Sequence, residues 1–283
     1  MIPLGPRTIF CREEGLSDQL PVVLLHGFAE DGAIWDQQIE QLKNDYRLLI
    51  PDLPGSGRSS PLIDATSSSA LADETPAIPP EGASMEDLAD IILALLDSEG
   101  IKRCVLIGHS MGGYIALAFA NKYPKRLLGL GLFHSTAYAD TEEKKAARQK
   151  SIEFIRKNGS AAFIRQSTPN LFAADTQSSR PGLLNDMISR YSSFLPDSLT
   201  GYYEAMIRRP DRTQVLKEFA GPVLFVIGAQ DQAVPPRHAL EQSHMPALSH
   251  IHILDNAAHL GMLEATDRCN QILHTFLNFV TYS

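Results

Sequence analysis

The stretch Gly108-His109-Ser110-Met111-Gly112-Gly113 follows the apolar run Cys104-Val105-Leu106-Ile107 and precedes a helical pattern that begins Tyr114-Ile115-Ala116-Leu117-Ala118. The order is strand, tight turn, helix, with a serine at the turn. A Gly-x-Ser-x-Gly turn in that context forces its serine into a strained backbone conformation and projects the hydroxyl from the top of a sheet. The residues two before and two after the serine must be small, because the helix folds back against the strand. Gly108 and Gly112 meet that demand. The same five letters also occur as an ordinary glycine-rich turn, so the reading depends on what the rest of the chain supplies.

What it supplies first is alternation. Val22–Leu25, Tyr46–Ile50, Leu127–Phe133, Val223–Ile227 and Ile251–Leu254 read as strands. Helical patterns run between them: Trp35–Leu42, the segment carrying Leu88, Ile91, Ile92 and Leu95 behind a Ser84/Asp87 capping box, and Glu264–Val280 at the end. Strand–helix alternation predicts a mostly parallel sheet with helices on both faces. Two stretches break the rhythm. Ser59–Ala83 is rich in Ser, Ala and Pro and reads as a long mobile loop. From 135 to 212 the chain lacks β-branched runs and reads as helices at Glu142–Asn158, Ser160–Thr168, Gly182–Phe194 and Leu199–Arg208. The expected division is a sheet core formed by 1–134 and 213–283, with 135–212 as a helical cap.

A serine hydroxyl needs a base to take its proton, and the base needs a carboxylate to fix its tautomer. The strand Val223–Ile227 ends in Gly228-Ala229-Gln230-Asp231, and the last strand leads to Asp255-Asn256-Ala257-Ala258-His259. Both lie where open α/β sheets place their sites, past the carboxyl ends of strands. Ser110, Asp231 and His259 are therefore the expected catalytic set, with Asp255 and Asp140 as rivals for the acid and an Asx turn as the other use for Asp231. Two backbone amides should hold the oxyanion. One belongs to Met111. The other belongs to Phe28 in the loop His26-Gly27-Phe28, where Gly27 permits a sharp turn, His26 stabilises the loop and the Phe28 ring walls the acyl pocket. His109 reads as a packing residue or one supporting the nucleophile. No metal ligand and no cofactor is expected.

Together with Asp52-Leu53-Pro54-Gly55-Ser56-Gly57-Arg58-Ser59 and Ala258-His259-Leu260, these pieces make the chain resemble the α/β-hydrolase fold superfamily, within its small cap-bearing esterases, C–C bond hydrolases and cofactor-free haloperoxidase-like enzymes. The resemblance implies a serine hydrolase acting on carboxylic esters or related small, apolar acyl substrates. It also keeps open C–C bond cleavage by the same triad, and a non-catalytic ligand-binding member of the fold. The C–C hydrolases of the group often carry a tryptophan near the histidine and a cap arginine for a carboxylate. Here Leu260 follows His259 and the single tryptophan is Trp35, but the cap does hold arginines: Arg148, Arg156, Arg165, Arg180, Arg190, Arg208 and Arg209. Ser110 argues against the members that use an aspartate nucleophile.

Charge limits the partners. With 25 Lys and Arg in 283 residues and a net charge of −8, nucleic-acid binding has no electrostatic support. Apolar runs such as Ile91–Leu96 are too short to span a bilayer. Cys11, Cys104 and Cys269 are far apart and form no C-x-x-C pair, and Met1–Arg7 has no signal-peptide pattern, so a cytoplasmic setting is expected. The sequence leaves the oligomeric state open.

Overall fold

The computed structural model describes residues 1–4, 7–62 and 82–282. The stretch read as a long loop therefore lies mostly outside the described residues. Nine strands are found among those described: β1 Ile2–Leu4, β2 Arg7–Ile9, β3 Cys11–Glu14, β4 Pro21–Leu25, β5 Arg47–Pro51, β6 Cys104–His109, β7 Leu127–Phe133, β8 Val223–Gly228 and β9 Ser249–Leu254. β1 and β2 form a small antiparallel pair. The other seven form one sheet in the order β3-β5-β4-β6-β7-β8-β9, parallel throughout except for β3 against β5.

The central strands are apolar at successive positions because both faces are covered. Every residue of β6 and β8 is buried. One face packs on α2 (Met85–Ser98, after α1 Asp36–Leu42) and α3 (Met111–Lys122), and α3 is buried from Met111 to Ala120. The other face packs on α1 and on the closing helix Thr266–Tyr282 through Ile272, Leu273 and Phe276. The Ser84/Asp87 capping box is present. Helical geometry at two ends differs from the sequence reading. Gly32–Trp35 is a 3-10 turn that leads into α1, and the closing pattern breaks at Ala265 into Gly261–Glu264 and Thr266–Tyr282.

Between β7 and β8 the chain is helical: α4 Glu142–Asn158, α5 Ser160–Ser167, α6 Ala174–Ser179, α7 Pro181–Tyr191, α8 Pro196–Arg208 and α9 Thr213–Glu218. The short α6 and α9 carry too little periodicity to be read from sequence. So does α10, Pro236–Gln242; α11 is Gly261–Glu264 and α12 is Thr266–Tyr282. Ile155, Phe163, Phe172, Met187, Tyr191 and Leu199 join the same apolar cluster as Trp35 and Phe133 of the sheet layer. Polar ties fasten this insertion as well. Tyr202 Oη donates to the Pro54 carbonyl at 2.5 Å and accepts from Ser56 in a buried contact. Among the described residues no helix is long and apolar enough to cross a membrane.

Candidate active site

Three non-glycine residues have positive φ among those described: Ala29 (57°), Ser110 (50°) and His134 (49°). They stand just past β4, β6 and β7, at one edge of the sheet. Backbone strain of this kind is costly and gathers where a site demands it. At Ser110 the turn has ψ −113° and opens straight into α3. The turn closes because a Cβ at Gly108 would collide with the backbone of Gly112 and Gly113, which the fold brings flush against it. Met111 is the first residue of α3, so its amide has no carbonyl one turn back to bind.

Ser110, Asp231 and His259 come together from loops far apart in sequence. Nε2 of His259 lies 2.8 Å from Ser110 Oγ, and Nδ1 lies 2.8 Å from Asp231 Oδ2. The Asp231 and His259 side chains are 1% and 5% exposed. Oδ1 of Asp231 accepts the N–H groups of Ala233 and Val234 at 2.8 and 2.9 Å. The turn role and the histidine role weighed for this aspartate thus coexist, one oxygen serving each. Burial pushes the Asp231 carboxyl up, but the charge and hydrogen bond of His259 and the nearby His134 ring outweigh burial and hold it below the carboxylate range. The rival acids are elsewhere. Asp255 is exposed, and Asp140 is held by Arg148 at 2.6 Å and Arg209 at 2.9 Å.

The loop after β4 runs past the serine. A Cβ on Gly27 would come within 3.2 Å of Ser110 Cβ. His26 receives the Leu53 N–H on Nε2 at 2.9 Å and donates from Nδ1 to the Gly27 carbonyl at 2.8 Å, which ties this loop to the turn after β5. In that turn Asp52 accepts the N–H groups of Gly32 and Arg58, each at 2.9 Å. The Phe28 ring stacks on Tyr203 with centroids 4.2 Å apart and meets Phe163 edge-on. These rings border a cavity of ≈ 80 Å³ whose other walls include Ile164, Leu171 and Met187. A larger polar cleft of ≈ 590 Å³ lies near Arg12, Asp31, Arg58 and Arg190; neither Ser110 nor His259 lines this cleft or the smaller cavity.

Two residues of this region were not anticipated from sequence. Glu30 is buried beside Gly27 and pairs with His109 at 2.9 Å. His134 is fully buried, with Nδ1 3.6 Å from Asp231 Oδ2. Burial pushes its imidazole down to about 4, against the pull of Asp231. Neither belongs to a recognisable spacing; only the pairing of β4, β6 and β7 brings them to the serine. No group of three or more His, Cys, Asp or Glu is arranged to hold a metal among the described residues.

A family model described as the alpha/beta hydrolase fold matches residues 21–266. A curated relative, 2-hydroxy-6-oxononadienedioate/2-hydroxy-6-oxononatrienedioate hydrolase of Klebsiella pneumoniae, is 29% identical over 274 residues, covering 90% of this chain and 86% of the relative. Among solved structures, a thermophilic esterase from Thermogutta terrifontis superposes with a TM-score of 0.85 at 30% identity, covering 97% of this chain and 94% of that one. The enol-lactonase from Burkholderia xenovorans superposes with a TM-score of 0.83 at 23% identity, covering 97% and 98%, a likeness of fold.

Proposed function

Because the chain belongs to the alpha/beta hydrolase fold family, we propose that it is a serine hydrolase that cleaves carboxylic esters or related small acyl compounds through an acyl-enzyme. The observation that carries this reading is the unbroken line from Asp231 Oδ2 through both nitrogens of His259 to Ser110 Oγ, with two contacts of 2.8 Å.

The steps follow from that line. His259 Nε2 takes the Ser110 proton as Oγ forms a bond to the substrate carbonyl carbon. The resulting oxyanion is held by the amides of Phe28 and Met111, a contribution worth on the order of 10²–10³ in turnover for one donor. Collapse breaks the ester C–O bond, and Nε2–H gives its proton to the departing alcohol. Water then loses a proton to Nε2 and attacks the acyl carbon, and the second collapse releases the carboxylic acid and returns the proton to Ser110. Asp231 stays ionised throughout, holding Nδ1–H and stabilising the transient imidazolium.

Residues 135–212 serve as the lid of this site, with 1–134 and 213–283 as the catalytic core. The cavity beside Phe28 takes the acyl group, and its walls favour a short apolar chain. Cleavage of C–C bonds in acidic substrates is less well supported. No arginine lines that cavity among the described residues, and Arg148, Arg190 and Arg209 are each engaged by an aspartate. The cysteines at 11, 104 and 269 are free thiols, which favours a reducing setting such as the cytoplasm.

The test is a panel of p-nitrophenyl esters of graded acyl length, assayed with the wild-type protein and Ser110→Ala. Short acyl chains should turn over best, and Ser110→Ala should lose on the order of 10⁶ in kcat. A Ser110→Ala protein that kept more than about a tenth of wild-type activity would overturn the reading.

A further inference from the structure

Beside Ser110 lies a second acid–histidine pair that the steps above do not use. The side chains of Glu30 and His109 are 3% and 0% exposed. A single oxygen, Oε2 of Glu30, accepts Nδ1–H of His109 at 2.9 Å and the N–H of Gly27 at 2.7 Å. On the far side of the ring, Nε2 faces the backbone carbonyl oxygen of His259 at 3.0 Å. Both partners of this ring are acceptors. With Glu30 ionised, only a ring protonated on both nitrogens satisfies both, which makes His109 an imidazolium; an un-ionised Glu30 would instead donate to Nδ1 of a neutral ring. Burial opposes that charge, but the Glu30 carboxylate outweighs it and raises His109 above the ordinary histidine value. The same pairing brings Glu30 below its own range despite burial. The other titratable groups packed around the pair are Asp231, His134, His259 and His26; the His134 and His259 ring centroids lie 6.1 and 4.9 Å from that of His109.

The pair is wedged between functional loops. A Cβ on Gly27 would come within 2.9 Å of both Glu30 Oε2 and His109 Nδ1. The loop can approach the elbow this closely only because position 27 has no side chain. Ala29, in its positive-φ conformation, sits between Phe28 and the buried carboxylate that returns to Gly27.

We propose that the Glu30–His109 ion pair is a positioning bracket, which joins the oxyanion loop at Gly27 to the backbone of His259 and thereby holds the oxyanion amides and the base in register across Ser110. Its kinetic consequence rests on the serine-hydrolase reading; the charge on His109 rests on its two contacts together with an ionised Glu30. Glutamine cannot reproduce the arrangement. Its carbonyl in place of Oε2 would leave the imidazolium without a counter-charge, and its NH₂ there would confront the Gly27 N–H. In Glu30→Gln the ring therefore gives up a proton at lower pH, and one of its two bonds goes with it.

The experiment compares wild type, Glu30→Gln and Ser110→Ala as full chains. Long-range ¹⁵N spectra of histidine-labelled protein read the His109 ring, assigned from its loss in His109→Gln. At about pH 8, above the ordinary histidine range, wild type should show both nitrogens protonated and Glu30→Gln a neutral ring. With a p-nitrophenyl ester, kcat of Glu30→Gln should fall on the order of 10²-fold with KM little changed, the cost of a misplaced catalytic group. The alkaline limb of its kcat profile should move to lower pH. If Glu30→Gln does not fold, the wild type alone decides: its alkaline limb must coincide with the titration of the His109 resonance. A neutral His109 ring in wild type at about pH 7, a limb that does not coincide, or a Glu30→Gln protein with unchanged kcat and limb would overturn the bracket. Activity surviving in Ser110→Ala would instead overturn the hydrolase reading and leave the His109 spectrum standing.

Discussion

The backbone N–H of His259 donates to the carbonyl of Leu171 at 3.0 Å, so the loop that carries the proposed base is tied directly to the helical insertion. Glu264 reinforces the tie. One of its oxygens accepts the N–H of Ala173 in the insertion, and the other accepts the N–H of Ala258 next to the histidine, both at 2.8 Å. The insertion proposed as the lid is thus also hydrogen-bonded to the loop that carries the imidazole.

Glu264→Ala should loosen both loops at once. The expected result is a fall in kcat of roughly ten-fold or more with the fold intact, because small displacements of a catalytic group are costly. Steady-state kinetics alongside circular dichroism check it, and unchanged kcat would separate the insertion from the base.

Asp231→Asn should lower turnover by on the order of 10⁴ near neutral pH, since the amide favours the wrong imidazole tautomer and offers no charge to the imidazolium. Asp255→Asn, at an exposed position, should stay near wild type. Equal losses at the two positions would leave the acid unassigned.

Asp140 tests the difference between a structural and a catalytic carboxylate. Burial raises its carboxyl, but the bonds and charges of Arg148 and Arg209 bring it below the ordinary range. A depressed folded-state value means stability that is present above the unfolded value and lost as pH falls through the folded one. Asp140→Asn should therefore cost about 3–5 kcal/mol near neutral pH by leaving the buried Arg209 and the partly buried Arg148 without their shared carboxylate. The gap to wild type should narrow below about pH 4. Denaturant unfolding across that range measures it, and an asparagine protein as stable as wild type at neutral pH would contradict the assignment.

The cavity predicts selectivity. Phe163 and Met187 both line it. Phe163→Ala should shift the preferred ester toward longer acyl chains, whereas Met187→Trp should exclude all but the shortest. Relative kcat/KM over the ester panel is the readout, and an unchanged order of preference in both variants would put the acyl group elsewhere.

The elbow could be read from sequence because its demands are local: a strand, two glycines around a serine, and a helix lie within one short stretch. Asp231 and His259 were legible for a related reason, since each follows an apolar strand whose carboxyl end must face the same edge. Glu30 and His134 were not. Their roles come from strand neighbours, β4 beside β6 and β6 beside β7, and no spacing in the chain announces those contacts. The short helices α6 and α9 were missed because six residues carry little periodic signal.

The central claim, that Ser110 is the nucleophile of a working hydrolase, is tested most directly by treating the native protein with a fluorophosphonate and mapping the adduct by peptide mass spectrometry. A single adduct on Ser110, formed in step with the loss of ester hydrolysis and absent from Ser110→Ala, is the predicted result. Complete inactivation with the adduct on another residue, or ester turnover that persists with Ser110 fully modified, would contradict it.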